Sequence, residues 1–572
     1  MMSETSVTLP VLPDSPAAFA DASWDAILPW YEALATVALD ADSVGPWLAA
    51  WSRLEELVTE AAAEAMIAYT GDTRDAAREA AHLRFSAEIF PQLEEQGVRL
   101  ARRLLATGFS RPDLEVVLKR FRAQIDIFRE ENLPLFSELE ELAARYQRLT
   151  GGITVEWDGE TRTLPQIGPF LKSPDRAIRE RAFRTMGAPY IAMRAELADL
   201  FTEMYERRQR VARNSGFSDF EAYSYAAKCR FDYTPDDVTR FHDAVEAEVV
   251  PAVARILERR KAALGLDVLR PWDLDVDPAG RPPLQPFKDS AELVEKASRV
   301  FHAVAPELGA EFDLMRGERL LDLESRAGKA PGGYCETLHF RGRPFIHMNA
   351  VGLLDDVNTL LHEAGHSFHA FAAHRQPLLW QRHVGSESAE LASMSMELLA
   401  APYLAEPGGM ATPDQLRLAR IEHLEEVLMT LAHVAAVDAF QRWIYTSGQG
   451  HDAAARDAAW QRLRERFQTG VDWSGLEEER LARWYRQLHI FLYPFYYIEY
   501  GLAQLGALQI WRRSRTDQAG AVRDYREALA LGCTVGLPDM YARAGARFGA
   551  DRQLIRELVA LVEGELAVLR ES

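Results

Sequence analysis

The chain has 572 residues, 48% of them apolar, and carries 65 Lys and Arg against 86 Asp and Glu, a formal net charge of −21. That balance excludes a disordered or fibrous chain, and it excludes a nucleic-acid partner, whose binding depends on cations neutralising phosphates. Three scattered cysteines, a start without a signal-peptide pattern and no apolar run of about 18 residues lead to the expectation of a cytoplasmic chain with no membrane partner.

From Ser15 to Leu149 apolar residues recur at three- and four-residue spacing among Ala, Leu, Arg and Glu, the period and composition of amphipathic helices. Ser110-Arg111-Pro112-Asp113 marks one helix start, where a hydroxyl caps free amides and proline suits the first turn. Gly152 to Pro165 changes character, with β-branched residues flanking Asp158-Gly159, a pair suited to the positive φ of a tight hairpin. The proline-rich stretch Leu269 to Lys288 cannot hold a long helix and reads as a connection. A second β signal spans Gly332 to Asn349, where two short runs flank Arg341-Gly342-Arg343. Helical period then returns over Leu353 to Ala372, Glu387 to Ala400 and Leu416 to Phe440. The expected fold class is mostly α with small β hairpins.

His362-Glu363-Ala364-Gly365-His366 falls inside the helical segment 353–372, so its two imidazoles stand one turn apart on one face. Two rings so spaced can hold one Zn2+ with a glutamate beside the open position, and only roughly 0.03 chance matches are expected in such a chain. A third ligand is still needed. Ala372 removes a histidine ten residues after the first, and His369 lies about 10 Å along the axis from His362, too far to join the same ion. The next helical segment offers Glu387, Glu390 and Glu397 on nearly one face, and periodicity does not choose among them. Further on, His489, Tyr493, Tyr496, Tyr497 and Tyr500 cluster. A helix starting near Pro494 would align Tyr497 and Tyr500, and such hydroxyls can donate to a developing oxyanion.

The blocks GKAPGGYC (328–335), PFIHMN (344–349), DDVNTLLHEAGHSFH (355–369), AELASMSMELL (389–399) and PFYYIEYGLAQLGALQIW (494–511) resemble the thimet oligopeptidase/oligoendopeptidase F family of zinc metallopeptidases. They resemble most its bacterial oligoendopeptidase F and Pz-peptidase branch, densely over residues 320–512. The resemblance implies a multi-helix zincin-type fold with a deep cleft between two lobes: an N-terminal helical lobe, 1–195, with the hairpin near 152–165, and a catalytic region, 196–572, holding the zinc helix. It implies one Zn2+ per chain on His362, His366 and Glu390, with Glu387 next in line and Glu397 orienting an imidazole. Glu363 is then the general base, and His489, Tyr497 and Tyr500 assist. The β segment before the zinc helix would pair with an extended peptide, with Lys329 and Tyr334 as further candidates and Cys335 as packing. The implied activity is hydrolysis of internal bonds in short peptide substrates. A zinc carboxypeptidase or dipeptidyl carboxypeptidase, and a non-catalytic helical peptide-binding protein, are the alternatives; oligomeric state has no sequence signal.

Overall fold

The helical period is realised along nearly the whole chain in a computed structural model that describes residues 9–326, 328–330 and 332–571. Near the N-terminus, helix α1 (Val44–Gly71) buries Trp47, Trp51, Leu54, Leu57 and Val58 along one stripe. These residues belong to a core built from Phe19 to Phe121 and joined by Leu378 and Cys533. Truncating a buried tryptophan such as Trp47 to alanine would cost about 3–5 kcal/mol, because its neighbours cannot fully close the space. The hairpin forms as expected: β1 (Thr154–Trp157) pairs antiparallel with β2 (Glu160–Thr163). Asp158 and Gly159 adopt φ of 53° and 84°, the left-handed pair that a two-residue turn requires. Trp157 packs on Phe170 beneath it.

A second core joins Leu135–Tyr223 to Val437–Phe495, and a third, the largest, runs from Tyr225 to Leu569 with Ala63 added. Within the third lies a three-stranded sheet: β3 (Leu321–Glu324), β4 (Tyr334–Leu338) and β5 (Arg343–Ala350), in the order β3-β5-β4. The expected second hairpin is β4 with β5, paired from Tyr334 opposite His347 to Leu338 opposite Arg343. The added strand β3 runs parallel to β5.

Four helices complete the frame of the site: α2 (Leu354–Ala373), α3 (Ser386–Ala400), α4 (Pro413–Thr446) and α5 (Tyr497–Ser514). Asp356 starts α2 by accepting the amides of Val351, Gly352 and Leu353 at 2.8–2.9 Å. Leu360, Leu361, Ala364 and Phe368 turn its apolar stripe into the third core. Both α3 and α5 are buried on nearly every face, as apolar all-round helices at the centre of a large core are. Among the described residues no helix is long and apolar enough to cross a membrane.

Candidate active site

Helix α2 carries His362 and His366 on the face opposite its apolar stripe, and α3 presents Glu390 to them. Glu390 Oε2 lies 3.2 Å from His362 Nε2 and 3.8 Å from His366 Nε2. One ligand atom from each of the three side chains falls within 4.8 Å of the other two. Gly365 makes this proximity possible. A Cβ there would stand 2.5 Å from Ser393 Cα and 2.7 Å from Ala392 O, so only glycine lets the backbones of α2 and α3 approach so closely.

The side chains around the cluster fix its donors. Glu397 Oε1 lies 2.7 Å from His362 Nδ1, and its Oε2 lies 3.1 Å from His423 Nε2 on α4. Burial works to raise the Glu397 carboxyl, but hydrogen bonds from both rings hold it at about 2. An ionised carboxylate only accepts, so His362 donates from Nδ1 and directs its Nε2 at Glu390. Glu390 is anchored likewise: Tyr496 donates to Oε1 at 2.7 Å and Ser393 to Oε2 at 3.0 Å. Burial would raise its carboxyl, yet the hydrogen bond from His362 and the charges of both rings hold it at about 2.

This donor set fits a zinc ion. A carboxylate oxygen and two imidazole nitrogens converge, and His362 has already directed one proton to Glu397. Burial opposes the His362 imidazolium, but Glu390 and Glu397 together lift its pKa well above the usual value. Burial lowers the His366 imidazole to about 4, so near neutral pH that ring is uncharged, and two His nitrogens with one carboxylate are a common zinc ligand set.

A cavity of about 380 Å³ opens over the cluster, lined by Tyr334, Cys335, Glu363, Tyr496 and Tyr500 among others. Glu363 follows His362 on α2, and burial pushes its carboxyl up to about 7, against the pull of His362. Tyr500 meets His489 Nε2 at 3.3 Å. Burial, with Glu390 adding to it, raises the Tyr500 hydroxyl well above its ordinary value, while burial lowers His489 to about 4. Near neutral pH both groups are uncharged hydrogen-bond partners.

The remaining sequence candidates make other contacts, although His369, Tyr334 and Cys335 also line the cavity. Tyr497 turns its hydroxyl to Gln487 Oε1 at 2.8 Å and lies outside the cavity lining. Glu387 accepts from Tyr233 at 2.6 Å and faces Arg230 at 3.8 Å, away from the histidine pair. His369 is buried at the cavity wall, and its Nε2 has no hydrogen-bond partner among the described residues. Lys329 is tied to Asp322 and to the carbonyls of Glu324 and Met348, a clamp across strand ends. Tyr334 bonds Thr70 of α1 at 2.6 Å and stacks on His347. Cys335 meets Ser367 at 3.3 Å, and burial raises its thiol pKa far above the reactive range.

Tyr496 falls outside the pair Tyr497 and Tyr500 that a helix from Pro494 aligns, and no sequence pattern marks Ser393 or His423. Tyr496 precedes Tyr500 by four residues, the spacing of a shared helical face. Tyr496 keeps that face as the N-cap of α5, itself helical at φ −79° and ψ −32°, while Phe495 before it is left-handed at φ 61°. Arg230 donates to the Phe495 carbonyl, and Gln441 accepts its amide at 3.2 Å. These contacts offset the cost of a strained turn that brings Tyr496 onto Glu390.

A family model described as Peptidase family M3 matches residues 170–560. The chain is 22% identical to an oligoendopeptidase F homolog of Borreliella burgdorferi, with 72% of this chain and 70% of that one aligned. It is also 22% identical to the chromosomal oligoendopeptidase F of Lactococcus lactis subsp. cremoris, with 67% and 62% aligned. Its structure resembles that of Pz peptidase A with an inhibitor, at a TM-score of 0.89 and 26% identity over 99% of both chains. Oligoendopeptidase-F from Enterococcus faecium shares the fold at a TM-score of 0.62 and 17% identity, over 96% of this chain and 97% of that one. The family match covers the sheet, α2 to α5 and the whole histidine–carboxylate cluster, and the likeness in fold extends across the chain: it belongs to peptidase family M3.

Proposed function

We propose that the protein is a zinc-dependent endopeptidase that hydrolyses internal bonds of short peptides. The observation that carries this reading is the convergence of His362, His366 and Glu390, with Glu363 beside them at the floor of one cavity. The three residues would hold one zinc ion, which when bound supplies Lewis acidity toward water and the scissile carbonyl. Glu363, with a pKa near neutrality, takes the proton of the attacking water and returns it to the leaving amine. Tyr500 donates to the developing oxyanion, and His489 holds that hydroxyl in place. Tyr496 and Ser393 keep Glu390 from rotating.

The oligoendopeptidase relatives support the peptide substrate, and β4, an outer strand lining the cavity, offers an edge for extended chain. On this reading the helical lobe, 1–195, meets the catalytic region, 196–572, through Thr70 with Tyr334 and through Lys172 with Asp355. A carboxypeptidase would need a free cation for the substrate's terminal carboxylate. Arg382, which lines the cavity, is instead committed to Glu56 at 3.1 Å and to the carbonyls of Gln376 and Pro377. The test is mass spectrometry of products from peptides of graded length, blocked at both ends or free, with and without a chelator. Internal cuts in blocked peptides, abolished by the chelator and restored by zinc, are expected; release from free C-termini alone would reject the endopeptidase reading.

A further inference from the structure

His423 lies outside every sequence block that pointed to the site. It sits on α4, 26 residues after Glu397, yet its ring closes a chain of hydrogen bonds that begins at His362. Three helices contribute one member each: His362 from α2, Glu397 from α3 and His423 from α4. The two rings occupy different oxygens of one carboxylate, at 2.7 and 3.1 Å. Little solvent reaches the join, since the Glu397 and His423 side chains are 19% and 14% exposed.

The physical consequence follows from torsional freedom. A carboxylate held at one oxygen can still swing about its terminal torsion, which is broad and carries little preference of its own. A second donor on the other oxygen fixes the carboxylate plane and with it the direction from which His362 Nδ1–H is received. The position of α4 is itself tied to the zinc helix. Lys172 reaches Glu422, the neighbour of His423, at 3.5 Å and Asp355 in the first turn of α2 at 3.1 Å.

We propose that His423 is a positioning residue for the metal. It acts through Glu397 to hold the His362 ring in the tautomer and orientation that present Nε2 to the ion. This rests on the reading of His362 as a ligand. The role predicts dependence on one N–H at one place, and it predicts that His423 matters only while Glu397 is present.

Both consequences are measurable as zinc affinity, by competition with a chromophoric chelator, alongside kcat and KM on a doubly blocked peptide. His423→Leu is expected to weaken zinc binding about 10- to 100-fold while KM stays near the wild-type value. His423→Gln sets an amide N–H close to the position of Nε2 and should bind within about threefold of wild type. His423→Asn is polar but too short, so it should match the leucine variant and replaces it if that protein does not fold. Adding His423→Leu to Glu397→Ala should weaken binding no further, because the two act as one unit. Wild-type affinity in both His423→Leu and His423→Asn, a glutamine variant as weak as leucine, or a fully additive double variant would overturn the proposal. Failure of the underlying reading looks different: His362→Ala would then bind zinc as tightly as the unaltered chain.

Discussion

Glu363 stands where burial and the chemistry of a general base coincide. Its carboxyl, raised to about 7 by burial, must be ionised to accept a proton. Below that pH the base is progressively protonated, so kcat/KM should fall with a single-proton slope on the acid side, and a cation on the neighbouring ligands would draw that limb lower. Glu363→Gln should keep its zinc and lose about 10²- to 10⁴-fold in kcat, and its residual rate should lack the acid limb. A pH–rate profile on a quenched peptide with a parallel metal assay checks both; near-normal turnover would remove Glu363 from the mechanism. The acids on α3 separate as clearly. Glu390→Ala should release zinc as fully as His362→Ala, whereas Glu387→Ala should retain it and destabilise the fold by about 1–3 kcal/mol, since Tyr233 and Arg230 lose a buried partner. An emptied site in the Glu387 variant alone would reverse the assignment. The paired histidines and Glu363 were legible because ligation at helical spacing leaves a pattern within five residues. Tyr496 and His423 were not, because each is defined by the atom it reaches on another helix, and Ser393 was not, because its bond to Glu390 on the same helix has meaning only once Glu390 faces the histidines.

Close packing of two helices limits what the site tolerates. The peptide planes of α2 and α3 approach at Gly365, so Gly365→Ala should cost about 1–3 kcal/mol through overpacking and weaken zinc binding as Glu390 is pushed from the histidines. Thermal melts with chelator competition would register both effects; a melt and an affinity equal to wild type would mean that α2 and α3 part without consequence. Helix phase decides the tyrosines in the same way. Tyr500→Phe should lower kcat on the order of 10²-fold by removing an oxyanion donor, while Tyr497→Phe should leave kcat nearly unchanged, because its hydroxyl serves Gln487. Equal losses in the two variants would place both hydroxyls in the reaction. Elements with a strong local signal were legible: α2 from its apolar period, β1 and β2 from Asp158-Gly159. Strand β3 was not, since four residues pairing in parallel with β5 carry no turn and no long alternation. The start of α5 lies three residues after the proline at 494 that suits a first helical turn, and the backbone bonds that hold Phe495 left-handed come from Arg230 and Gln441 in distant segments.

At the scale of the whole molecule the site is a floor, and what reaches it is set by the walls. The cavity of about 380 Å³ is bounded on one side by β4 and on the others by α2, α3 and the start of α5. On the proposed reading a scissile bond lies extended beside β4 while its carbonyl approaches Tyr500 and the ligand cluster. A folded protein presents such a segment only after local unfolding, and the few backbone hydrogen bonds gained along one strand do not offset that opening. A short peptide has no structure to lose, and backbone pairing tolerates most side chains. Unstructured peptides, including those blocked at both ends, should therefore be cut internally, while native globular proteins stay intact at high enzyme concentration. Carrying the same target sequence in both forms, as a free peptide and as a loop grafted into a stable host, isolates geometry from sequence preference. Intact-mass analysis over time should show the peptide consumed and the host unchanged, and adding denaturant just sufficient to loosen the host should convert it to a substrate. Rapid cleavage of the native host, or resistance of every blocked peptide, would mean that the walls around the ligand cluster do not govern access.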